Sequence, residues 1–208
     1  MFAPQNIGGI GIVPFNVIIT QHKIKFLQRH LRKNNEIGNC IIINLKWAML
    51  HAGRRNAIFT SDGRIDYIEN QRIIHLHNEL KRMTGKLLIR GITGQHYSRV
   101  NDQFLMDAWD YQNLSIASLY QLNLFHLYLR VSKLSDIVSN DGKHIQYVYL
   151  TSTRINTHSN LEWPRQSRPS QDAWKFWKKT LIDTFYTVNH LTHPLGPWTN
   201  FPPNVTYF

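Results

Sequence analysis

A chain of 208 residues, 42% hydrophobic and 12% aromatic, carries enough apolar material for one or two packed domains. Its mean hydropathy is −0.35, and no apolar run reaches the ~20 residues of a membrane span; the longest candidate, CIIINLKWAML (40–50), is broken by Asn44 and Lys46. A net charge of +11 favours acidic partners, nucleic acid above all, although a basic protein without a specific ligand has the same balance.

The charge is uneven. Residues 1–100 hold 15 Lys and Arg against 5 Asp and Glu, whereas residues 101–208 hold 9 against 8. The start, MFAPQNIGG, has neither a charged n-region nor an apolar h-region, so no signal peptide is expected. A single cysteine, Cys40, excludes an internal disulfide framework and fits a reducing, intracellular setting, cytoplasm or nucleus. No membrane association is expected.

In chain order, GGIGIVP (8–14) reads as turned backbone ending at Pro14. The spacing is not that of a phosphate-binding loop. Residues 16–33 read as a helix, with Ile24, Leu27 and Leu31 on its apolar stripe and Lys23, Lys25, Arg29, Arg32 and Lys33 outside it. NNEIG (34–38) reads as a break. Residues 39–51 read as a second helix closed by Gly53, with Cys40 a buried small hydrophobe. The loop that follows holds Arg54, Arg55 and Arg64 and turns at Asp62-Gly63. Residues 69–83 read as a third helix stopped by Gly85, and KLLIRG (86–91) as a short strand.

Asn101 reads as the cap of a helix running to about Asp110. Residues 115–131 are apolar on nearly every side, the pattern of a helix buried among others. SNDG (139–142) reads as a turn and KHIQYVYLT (143–151) as a strand. Residues 151–169 read as a linker. The helix beginning at Ser170 places Trp174, Trp177, Leu181, Phe185 and Val188 on one stripe, with Lys175, Lys178 and Lys179 on its flank or edge. The rings are expected to pack inward; a base-stacking platform is the competing reading. The end of the chain is too rich in proline to be regular.

No active site assembles from these residues. His75 and His77 are two apart and face different ways. His190 and His193 lack the further ligands of a zinc site. Of Asp102, Asp107 and Asp110 only the last two could share a helix face, and helix-start charge and solvated carboxylates are the expectation for the three. No Asp-Asp pair of the polymerase kind occurs, so no catalytic residue and no cofactor is assigned.

Several segments, in order, resemble a known family: GGIGI (8–12), HLRKNNEIGNCIIINLKWAMLHAG (30–53), NDQFLMDA (101–108), LNLFHLYLRVSKLSDIVSNDGKHI (122–145), WPRQSRPSQDAWKFWKKTL (163–181) and HPLGPW (193–198). They are similar to the region that follows the polymerase core in reverse transcriptases of non-LTR-like retrotransposons. The chain departs from that pattern at Leu124, Phe125 and His126, where the family often carries Arg and Cys. The resemblance implies RNA and DNA as partners, and the polymerase core of the same element. Magnesium belongs with that core, upstream of any segment matched here, and the chain looks like a piece of a longer element.

Together these readings give a mainly α-helical, bundle-like fold with a small β hairpin or strand component and an irregular Pro-rich tail. The expected division is a basic helical domain (1–150), a linker (151–169) and a Trp/Lys helix with its tail (170–208). The expected function is non-catalytic nucleic-acid binding through Lys23, Lys25, Arg29, Arg32 and Lys33 as one stripe, Arg54, Arg55 and Arg64 as a loop patch, and Lys175, Lys178 and Lys179. The alternative is a protein-interaction module docking through Trp174 and Trp177, or a degenerate fragment with no activity of its own.

Overall fold

The structure is a computed structural model and describes residues 13–33, 35–151, 166–187 and 190–199. Among these the protein is mainly helical: α1 (Phe15–Lys33), α2 (Glu36–Ala52), α3 (Gln71–Arg82), α4 (Leu105–Tyr111), α5 (Ile116–Leu129) and α6 (Gln171–Phe185). The β component is limited to isolated bridges, such as Val138 with Ile145 around the 139–142 turn. The expected strands at 86–91 and 143–151 do not form. Leu88 is 85% exposed and Tyr147–Tyr149 is a 3-10 turn; among the described residues, 86–91 makes no bridge and 143–151 only the isolated one at Ile145, so neither extends into a ladder. The linker and the end of the tail fall largely outside the described residues, as does Val188.

The chain divides into two units, along other lines than 1–150, 151–169 and 170–208. The first comprises the chain up to Ala48 with Ala57–Asp62 and Glu69–Thr93. The second comprises Met49–Asn56, Gly63–Ile68 and the chain from Gly94 on.

In the first unit α1 packs on α3. Asn16 donates to Glu79 at 3.4 Å and Lys23 to His75 Nδ1 at 3.0 Å. Helix α3 starts where the Asn70 side chain accepts the Ile73 N–H, and its inward face buries Ile73, Ile74, Leu76 and Leu80. His77 shares that face and bonds the Ile58 carbonyl, while His75 points outward. Helix α2 begins three residues before the expected position. The Asn35 side chain accepts the Gly38 N–H at 2.9 Å, and a Cβ on Gly38 would meet the His30 carbonyl oxygen at 2.5 Å. Gly38 is there for close approach of backbone and does not break the helix. Cys40 is exposed, not buried.

In the second unit α5 is the centre of the core, as expected. It is capped by the Ser115 side chain and buries Leu119, Leu122, Phe125 and His126. Helix α6, capped by Ser170, lays its tryptophans on it: Trp177 stacks on Phe125 at 5.0 Å, Trp174 meets the same ring edge-on at 4.9 Å, and Trp109 of α4 meets Trp177 at 5.5 Å. Rings of this size each remove roughly 150–250 Å² from water, about 4–6 kcal/mol of transfer free energy before entropy. Helix α4 does not begin at an Asn101 cap. Asn101 is left-handed (φ 63°), and it is Asp102 whose carboxylate accepts the N–H groups of Ser98, Gln103 and Ser135. Buried Arg99 ties down residues 195–196, donating to the Gly196 and Leu195 carbonyls and lying 5.3 Å from the Trp198 ring.

Candidate nucleic-acid interface

The first unit carries eleven Lys and Arg against four Asp and Glu, and none of the eleven is buried. Two are neutralised in pairs, Arg82 with Glu79 and Lys86 with Asp62. Helix α1 concentrates the rest. At about 100° per residue, Lys25, Arg29, Arg32 and Lys33 fall within an arc of roughly 100°. All four are exposed and, among the described residues, none is in an ion pair. Their uncompensated charge also suits the C-terminal end of the helix dipole, where Arg32 and Lys33 close α1.

Lys23 does not belong to that face. It lies on the opposite flank, half-buried, against His75. The expected stripe of five is therefore a face of four. Arg90, not singled out in the sequence, joins it: Arg32 and Arg90 line one groove of about 720 Å³ together with Leu27, Ile42 and Leu87. Reading KLLIRG as a strand concealed Arg90.

The loop arginines separate. Arg54 is 4% exposed and is not available to phosphate. Its guanidinium pairs with Asp107 at 2.8 Å and Asp110 at 2.6 Å, and donates to Tyr67 Oη and the Arg64 carbonyl. Arg64 turns the same way, its Nε 2.5 Å and its N–H 2.9 Å from Asp110. Asp107 and Asp110 are thus ion-pair partners rather than solvated carboxylates. Burial works to raise the Asp110 carboxyl, but the Arg64 N–H, the Arg54 charge and both guanidinium bonds outweigh it, and its pKa is lowered. Burial pushes the Tyr67 hydroxyl up to about 12 despite the Arg54 charge. Only Arg55 of the three is exposed, its guanidinium 4.4 Å over the Tyr97 ring.

On α6, Lys175, Lys178 and Lys179 are exposed, and Lys175 pairs with Asp172 at 3.0 Å. Trp174 is 4% and Trp177 0% exposed. Neither can stack on a base, and neither can dock on a partner, because α5 and α4 already cover them. Among the described residues no three His, Cys, Asp or Glu side chains come together as a metal site, and no helix is long and apolar enough to cross a membrane.

Comparison of the chain with family models, with curated proteins and with solved structures finds no match.

Proposed function

We propose that the chain is a non-catalytic, nucleic-acid-binding part of a reverse-transcriptase-like protein, and that it holds duplex through the outer face of α1. The observation that carries this reading is the set of four exposed cations, Lys25, Arg29, Arg32 and Lys33, on one helix face, none of them in an ion pair among the described residues. Arg90 beside Arg32 extends the face. Long cationic side chains without an internal counter-ion suit phosphate oxygens, and such contacts carry no sequence information. The ordered resemblance of six segments supports RNA and DNA as the ligands.

The test is binding of the purified chain to a fluorescently labelled RNA–DNA hybrid, with two variants. Replacing Arg29, Arg32 and Lys33 by Ala is expected to weaken binding roughly tenfold or more. Replacing Lys175, Lys178 and Lys179 by Ala is expected to matter less. Loss from the α6 variant alone would move the interface to the second unit and overturn the assignment to α1.

A further inference from the structure

The first unit has a second face that phosphate binding leaves unexplained. Between α1 and α2 runs a trough of about 890 Å³. Its floor is apolar and buried: Leu45, Phe59, Ile73 and Leu76. Its walls are apolar and exposed, Phe26 at 52% and Ile37 at 47%. Helix α2 gives the trough Ile37, Cys40, Ile41, Asn44 and Leu45, spaced i, i+3, i+4, i+7 and i+8. That register spans about 12 Å, two turns of an α-helix laid alongside. Helix α2 exposes further apolar surface outside the trough, with Ile43 67% and Trp47 44% exposed. Exposed apolar surface of this kind marks a docking face for another protein.

The rim is charged with one sign. Lys23 and Arg72 line it, with His22, and among the described residues no carboxylate does. A second copy of this chain would bring a net charge of +11 to a rim that is already cationic. Nucleic acid would satisfy the rim and leave the apolar floor wet. An amphipathic helix with apolar residues at i, i+3, i+4 and i+7 and carboxylates beside them satisfies both.

We propose that this trough docks an amphipathic helix of a partner protein, apolar on its inner face and acidic along its flanks. The inference is independent of the α1 interface, since Lys25, Arg29, Arg32 and Lys33 do not line the trough.

The native cysteine supplies the assay. Cys40 is the chain's single cysteine, is exposed, and lines the trough. Two labelled model helices share a leucine face and differ only in carrying glutamate or lysine elsewhere. Binding is read by fluorescence anisotropy, and occupancy of the trough by the rate at which N-ethylmaleimide alkylates Cys40. The glutamate helix is expected to bind, to slow alkylation, and to outbind the lysine helix by roughly tenfold. Ile37→Asp, at an exposed position, is expected to abolish binding with the helical circular dichroism unchanged. Lys23→Glu with Arg72→Glu is expected to reverse the preference between the two helices.

Equal binding of both helices, no binding by either, or indifference to Ile37→Asp would overturn the proposal. So would protection of Cys40 by a free fatty acid but by neither helix, which would make the trough a small-ligand pocket. Protection by an RNA–DNA hybrid that survives Ile37→Asp would assign the trough to nucleic acid instead.

Discussion

Replacing Asp110 by Ala strikes the carboxylate that pairs with two guanidinium groups of the second unit, those of Arg54 and Arg64. Asp110 accepts Arg54 Nη2 at 2.6 Å, Arg64 Nε at 2.5 Å and the Arg64 N–H at 2.9 Å. Its loss leaves Arg54, with 5% of its side chain exposed, only Asp107 as counter-ion, and Asp107 is itself 36% exposed. Removing one partner of a buried pair costs about 3–5 kcal/mol, because the other charge stays buried. Asp107→Ala leaves the better-buried carboxylate in place and is expected to cost about 1–2 kcal/mol. Both fall within the roughly 5–15 kcal/mol that a domain has in total. Urea denaturation followed by tryptophan fluorescence measures both, since Trp109 sits on the same helix as the two carboxylates. Arg54→Met in the Asp110→Ala background removes the stranded cation and is expected to restore part of the loss. A cost below about 1 kcal/mol for Asp110→Ala, or a larger cost for Asp107→Ala, would refute the reading of this network as a buried ion-pair lock.

Trp177→Ala is expected to cost about 3–5 kcal/mol by denaturation, against near zero for Lys178→Ala on the exposed side of the same helix. Gly38→Ala drives a Cβ into the His30 carbonyl oxygen and is expected to destabilise the first unit by about 1–3 kcal/mol, seen as a lower midpoint for loss of helical circular dichroism. Burial, outweighing bonds to the Val131 and Leu50 carbonyls, lowers the His126 pKa below its ordinary value. The unfolded chain then binds the proton more readily than the folded one. The contribution of His126 to stability is therefore full above about pH 6.5 and is lost as pH drops below it. Asp110 adds a second loss as pH falls below its ordinary carboxylate range, through a folded pKa lowered further. Urea midpoints measured from pH 8 to pH 4 check the sign: a midpoint rising on acidification between pH 7 and 5 would contradict it.

Helices α1 and α6 are legible because their apolar residues repeat at helical spacing, with a local cap at Ser170, and α5 because it is apolar on nearly every side. What depended on distant neighbours was not. Gly38 reads as a breaker until the His30 carbonyl is beside it. KLLIRG and KHIQYVYLT have strand composition, but a strand needs a ladder, and among the described residues KLLIRG makes no bridge and KHIQYVYLT only the isolated one from Ile145 to Val138. Asp107 and Asp110 were seen to share a face; that the face meets Arg54, more than fifty residues upstream, has no local signal. The tryptophan stripe of α6 was legible as inward-facing, yet its covering element is α5, so the docking surface expected there is already occupied. On the outer face of α1, periodicity groups Lys25, Arg29, Arg32 and Lys33. Lys23 stands apart because its side chain lies against α3, where it donates to His75.

The salt dependence of binding to an RNA–DNA hybrid tests the central claim most directly. Four phosphate contacts from α1 give a slope of log K against log salt of about −3.6, an affinity loss of roughly a hundredfold between 50 and 200 mM salt. Replacing Lys25, Arg29, Arg32 and Lys33 together by Ala is expected to remove most of that slope. A steep slope that persists in this variant, or an affinity insensitive to salt in the native chain, would contradict the assignment of nucleic acid to this face.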